Sequence, residues 1–203
     1  MSTELKEHPY ASIIWGLLIA DIKNEKGVAG LMGNLQAESG LYPDRVQGDV
    51  PYSNYSKTYT AQVDNGQISE NDFVYNAPNG GGYGLAQWTF STRKQALYNM
   101  WKSGGYNSIG SVYLACAYLL HELKTSYTDV YNTLKSASTI RTASNKVLHG
   151  FEKPADQSVS VEMLRESLGQ EIYNTFTGTS GSATDNKSRK LSRLLFLAMA
   201  TED

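Results

Sequence analysis

Between Ile13 and Ile22 the chain carries Ile13, Ile14, Trp15, Leu17, Leu18, Ile19 and Ile22. These positions are apolar around most of a helical circumference, which predicts a first helix that is largely buried. The polar stretch Asn24-Glu25-Lys26-Gly27 interrupts the run, and Val28, Leu31, Met32 and Leu35 then repeat at the helical period. So short a break predicts two helices packed on one another. Glu38 falls on the same stripe, two turns beyond Leu31, so the second helix is expected to end by turning a carboxylate toward the core side. Gly40 supplies the stop directly afterwards.

The pattern changes from Leu41 to Gly82, where Tyr, Asn, Asp, Ser, Gly and Pro dominate. A strand over 57–63, the turn signal Asp64-Asn65-Gly66 and a short strand near 73–75 predict a small β-hairpin lobe. Tyrosines 42, 52, 55, 59 and 75 argue against disorder there. Beyond Gly80-Gly81-Gly82-Tyr83-Gly84, a helix capped near Ser91 or Thr92 runs through Leu97, Met100 and Trp101 to Gly104-Gly105. Val112, Ala115, Cys116, Leu119, Leu120 and Leu123 mark a central core helix over 111–124. Shorter helices are expected over 129–134 and 138–151, and a longer one with Val161, Leu164, Leu168, Ile172 and Phe176 inside. The predicted fold is mainly α, with a hairpin and loop lobe beside a cleft. Residues 1–177 form the main domain, 178–187 a flexible linker, and 188–203 a basic and then apolar helical tail suited to a membrane surface, a further domain or another subunit.

Composition narrows the functional classes. With 203 residues and a formal net charge of −2, the chain fits one domain plus a short appendage and gives no argument for nucleic acid as a partner. The single cysteine, Cys116, lies in an apolar helical run and reads as a packed thiol. His8, His121 and His149 lack partners at ligand spacing, so no metal and no cofactor are expected. No signal peptide is visible in residues 1–10, and the apolar run 13–20 is too short to span a bilayer.

A carboxyl in the last turn of a helix, on its buried side, is partly desolvated and lies at the negative end of the helix dipole. Both effects raise its pKa and suit a general acid. The other reading of Glu38 is an end-of-helix acid turned to water.

The segment Gly33-Asn34-Leu35-Gln36-Ala37-Glu38-Ser39-Gly40, followed by Gly82-Tyr83-Gly84-Leu85-Ala86-Gln87-Trp88-Thr89 and Arg93-Lys94, resembles the phage tail lysozyme family. Phe151-Glu152-Lys153-Pro154 and Arg165 are similar to its downstream pattern, and the likeness covers roughly residues 10–176. More distantly, the Glu-Ser step and Gly-Leu-Ala-Gln are similar to motifs of goose-type lysozymes and lytic transglycosylases. The resemblance implies a helical lysozyme-like fold acting on peptidoglycan glycan strands. It makes Glu38 the catalytic acid, Ser39 the residue that steadies it and Gln87 a residue near the scissile bond.

Glycosidic cleavage usually needs a second carboxylate, at about 5 Å from the first for retention or about 6.5–9.5 Å for inversion. Asp44, Asp49, Asp64, Glu70 and Asp72 are available; Asp49 is favoured and Asp64 follows, although Asp64 also suits a hairpin turn and Asp49 a solvated loop. Transglycosylases of similar motif manage with one Glu and the substrate's acetamido group. Tyr83 and Trp88 are expected to line the sugar groove, with the core as the alternative for Trp88 and the closing of a turn as the alternative for Tyr83. Arg93, with Lys94 beside it at the start of a helix, is expected to bind a stem carboxylate or to pair with an acid of the lobe, with a solvent-facing pair as the alternative, while Glu122 and Glu152 read as structural ion-pair or capping groups. The expected activity is a muramidase; the same chemistry on the alternate linkage (N-acetylglucosaminidase), a lytic transglycosylase and a non-catalytic wall-binding or tail module are the rivals. Such a protein rides on a virion tail or is released from the host cytoplasm at lysis.

Overall fold

Helix propensity and capping, rather than strand pairing, organise most of the described residues. The structure is a computed structural model, and it describes residues 2–178. Its helices are α1 (Ser2–Glu7), α2 (Ala11–Ile22), α3 (Glu25–Ser39), α4 (Asn54–Asp64), α5 (Glu70–Tyr75), α6 (Ser91–Ser103), α7 (Val112–Thr125), α8 (Thr128–Ser136), α9 (Ile140–Val147) and α10 (Val159–Thr177). A π-helical turn, Leu148–Glu152, follows α9 directly. The fold is mainly α, as expected. The linker and tail anticipated over 178–203 lie outside the described residues, apart from Gly178, which ends α10 at φ 73.

The anticipated hairpin is the correction. Residues 57–63 and 73–75 are helical, and β pairing among the described residues is confined to isolated bridges between Val46 and Tyr83 and between Tyr83 and Trp88. Thr, Tyr and Val favour strands in isolation, but caps and burial period override that preference here. The Tyr55 N–H donates to Ser53 Oγ at 3.1 Å, and the Asp72 N–H donates to Ser69 Oγ at 3.1 Å. Ser56, Tyr59, Thr60 and Val63, the buried positions of α4, repeat at three and four residues rather than two.

Residues 2–178 fall into two units, 2–37 with 123–178, and 38–122. In the first, α3 begins under an Asn24 cap, whose Oδ1 accepts the N–H groups of Lys26 and Gly27. Ile14, Leu18, Ile22, Val28, Leu31, Met32 and Leu35 are fully buried, as their period requires. Glycines let α3 approach its neighbours at backbone distance. A Cβ on Gly27 would lie 1.9 Å from Leu134 O, and one on Gly33 would lie 2.4 Å from Arg165 O and 2.6 Å from Gly169 N. Gly33→Ala should therefore cost about 3 kcal/mol or more, since α10 can relieve the overlap only by moving its backbone; a thermal melt checks this. Asn34, buried beside this contact, donates to Gly30 O and Ser144 Oγ and accepts from Arg165 Nη1 at 3.1 Å.

The second unit carries Leu41, Val63, Phe73, Tyr83, Leu85, Trp88, Leu97, Leu114, Tyr118 and Leu119 as buried apolar side chains. It holds the last two residues of α3, with α4, α5, α6 and most of α7.

Candidate active site

Glu38 stands in the last turn of α3, half-buried, one residue before the helix ends. Gly40 and Leu41 follow at φ 63 and 65, so two successive left-handed residues turn the chain sharply away. Leu41 lacks glycine's freedom there; its fully buried side chain holds it in place. The Ser39 hydroxyl donates to Leu85 O at 2.8 Å in a buried bond. That bond fastens the Glu38-Ser39 step to the 82–89 segment, so the two polar motifs form one local structure.

The 82–89 segment is a tight loop. The N–H of Tyr83 donates to Trp88 O at 3.2 Å, and the N–H of Trp88 returns to Tyr83 O at 2.9 Å. Gly84 (φ 79) turns the chain inside it, where a Cβ would meet the Trp88 ring at 3.0 Å. Gln87 adopts φ 44 without being glycine, a conformation that its side chain secures. Its Nε2 donates to Arg45 O at 3.1 Å and Gly84 O at 3.0 Å. Gly84 N–H also donates to Arg45 O, at 2.7 Å, so the 41–47 stretch and the loop are clamped together.

Tyr83 and Trp88 do not present faces to solvent. Tyr83 is enclosed, with its hydroxyl 2.8 Å from Thr60 Oγ1, and burial pushes its phenol well above the ordinary range. Trp88 is fully buried and its indole N–H donates to Glu122 Oε2 at 2.7 Å. The packing alternative holds for Trp88, and a groove-lining role for either ring is corrected: both support the loop from beneath. The ring open to solvent next to this loop is Phe90, 71% exposed.

Glu122, on α7, gathers three partners. Arg93 Nε lies 2.6 Å from Oε1 and Nη2 lies 2.8 Å from Oε2, and the Tyr118 hydroxyl contacts Oε1 at 3.2 Å. Arg93 is thus an ion-pair partner of a helix acid rather than of an acid in the 41–82 stretch. It starts near the head of α6, where Phe90 occupies the N-cap position and no side chain caps the helix.

Among the acids, Asp49 is buried at the head of α4. Its oxygens accept from the hydroxyls of Ser53 and Ser56, each at 2.5 Å, and from their N–H groups at 3.1 and 3.2 Å. Burial pushes its carboxyl up, but the Ser53 and Ser56 hydrogen bonds outweigh this and hold it below the ordinary 3.8. A depressed folded-state pKa contributes stability that is present above the unfolded value and lost as pH falls through the folded one. Asp49→Asn should lower the melting temperature at neutral pH and flatten its decline below about pH 4, which melts across an acid pH series check. Asp64 Oδ1 accepts the Ile109 N–H at 2.8 Å and so anchors the 109–110 turn. Asp44 is buried with both oxygens on the Tyr52 hydroxyl, at 2.9 and 2.8 Å; burial pushes it up, and this outweighs the Tyr52 bonds. Among the described residues, no three His, Cys, Asp or Glu side chains converge as a metal site would.

Two cations are buried that the sequence does not mark as such: Arg45 is not singled out there, and Lys94 is read as facing solvent beside Arg93. Arg45 is 8% exposed; burial pushes its guanidinium down while the Asp49 charge opposes the shift, and Nη1 lies 3.2 Å from the Cβ position of Gly40. Lys94 is the other.

A family model described as phage tail lysozyme matches residues 10–176. No curated protein and no solved structure matches the chain.

Proposed function

The chain belongs to the phage tail lysozyme family, and we propose that it is a muramidase, cutting between N-acetylmuramic acid and N-acetylglucosamine with Glu38 as general acid. Membership carries a lysozyme-type glycoside hydrolase activity on peptidoglycan in its general form. The observation that supports the finer reading is the Ser39–Leu85 hydrogen bond, which holds the half-buried Glu38 step against the Gln87 loop. A protonated Glu38 gives its proton to the leaving glycosidic oxygen as the anomeric centre becomes oxocarbenium-like. Gln87 retains its side-chain oxygen for an acetamido or hydroxyl donor, and Phe90 offers an open face to a pyranose. Residues 1–177 are the catalytic domain in this reading, in keeping with the extent of the family match. Action is at the cell wall, reached from a virion tail or after lysis; no helix among the described residues is long and apolar enough to cross a membrane.

Asp49 remains our first choice for the second carboxylate, because its hydrogen bonds keep it ionised. Asp64 is the next. The same four hydrogen bonds occupy both Asp49 oxygens and favour a second reading, in which the substrate's acetamido group assists and the product is an anhydro sugar. Release of soluble saccharide from purified bacterial sacculi tests the reading common to both: fragments appear with the wild-type protein, and their absence would remove it.

A further inference from the structure

Lys94 lies in the first turn of α6 and is only 2% exposed. Its neighbour Arg93 has Glu122 as counter-ion, but among the described residues no oxygen accepts a hydrogen bond from the Lys94 ammonium. What the ammonium has is the face of Phe73, whose ring centroid is 5.8 Å away. Burial pushes its pKa down. A cation at this end of a helix also opposes the dipole, so burial, position and missing acceptor all count against an ammonium here. Methionine would fill the same volume at none of these costs.

The ammonium is directed at a glycine turn. A Cβ on Gly81, which sits at φ 87, would lie 3.2 Å from Lys94 Nζ, with Thr89 O and Ala77 Cβ both at 3.9 Å. Only a glycine at 81 lets the ammonium approach the turn this closely. The turn is held from its other side by Gln47, whose Oε1 accepts the Gly82 N–H at 2.9 Å. An ammonium on a buried stem that has no protein acceptor is matched by an anion, because a neutral hydroxyl interacts with it less strongly than a charged acceptor does. On peptidoglycan the formal negative charges are the carboxylates of the peptide stems.

We propose that Lys94, at the Gly80-Gly81-Gly82 turn, is a binding residue for a carboxylate of the peptide stem, so that the enzyme reads stem as well as glycan. This rests on the peptidoglycan reading above. It makes Lys94 a specificity residue, outside proton transfer.

The test is calorimetric titration of a disaccharide-peptide wall fragment, its stem carboxylates free or converted to amides, into Glu38→Gln and Glu38→Gln/Lys94→Met proteins, with melts of each. The free-acid fragment should bind the Glu38→Gln protein about tenfold or more tightly than the amide does, a preference that Lys94→Met removes. Lys94→Met should at the same time raise the melting temperature, an outcome that a purely structural lysine would not give. Equal binding of acid and amide, binding of neither, or equal weakening of both with a fall in melting temperature would each overturn the proposal. Lys94→Gln, also uncharged, repeats the comparison should Lys94→Met fail to fold. Saccharide release from sacculi by the wild-type protein is scored separately. Preference for the acid without release keeps the carboxylate site and removes the enzyme reading; release without preference does the reverse.

Discussion

Glu38→Gln should lower saccharide release from bacterial wall by about 10²–10⁴-fold, the contribution typical of a positioned general acid. The amide has the shape of the acid but no proton to give the leaving oxygen. The substitution keeps the side chain's shape at the half-buried end of α3, so the melting temperature should move little. Reducing-end assays beside a melt separate lost chemistry from lost fold. Activity equal to wild type would assign the proton donor elsewhere.

Glu122→Ala should have the largest effect on stability, about 3–5 kcal/mol, because it leaves a part-buried guanidinium without its counter-ion and a fully buried indole N–H without its acceptor. For a chain of this size that is a fall in melting temperature on the order of 10 °C. Replacing Arg93 by Met in the same protein should recover part of the loss, since the stranded charge is then gone. Activity should fall with stability, because Trp88 closes the loop that Ser39 holds.

Legibility in the sequence followed the range of the interactions concerned. The Val28, Leu31, Met32, Leu35 stripe and the place of Glu38 beyond it needed only helical period, and both the stripe and the helix end appear as expected. The 54–75 segment was misread because Thr, Tyr and Val weigh toward strands residue by residue. What decided the outcome was the position of two serine caps, and Asp49 reinforces the first of them from four residues upstream. Asp49 looked like a free loop acid for the same reason: its partners Ser53 and Ser56 become partners only once the helix exists. Glu122 was readable as a structural ion-pair acid, but its pairing with Arg93, 29 residues away, was not. The glycines around Tyr83 and Trp88 suggested an open surface; Gly84 serves instead to let the loop close on the Trp88 ring.

The most direct measurement is mass spectrometry of the fragments released from purified sacculi in H₂¹⁸O, with Glu38→Gln digested in parallel. A muramidase acting through Glu38 predicts reducing N-acetylmuramic acid ends carrying one ¹⁸O, and almost no fragments from the variant. Reducing N-acetylglucosamine ends, anhydro ends without ¹⁸O, or the same fragments from both proteins would contradict it.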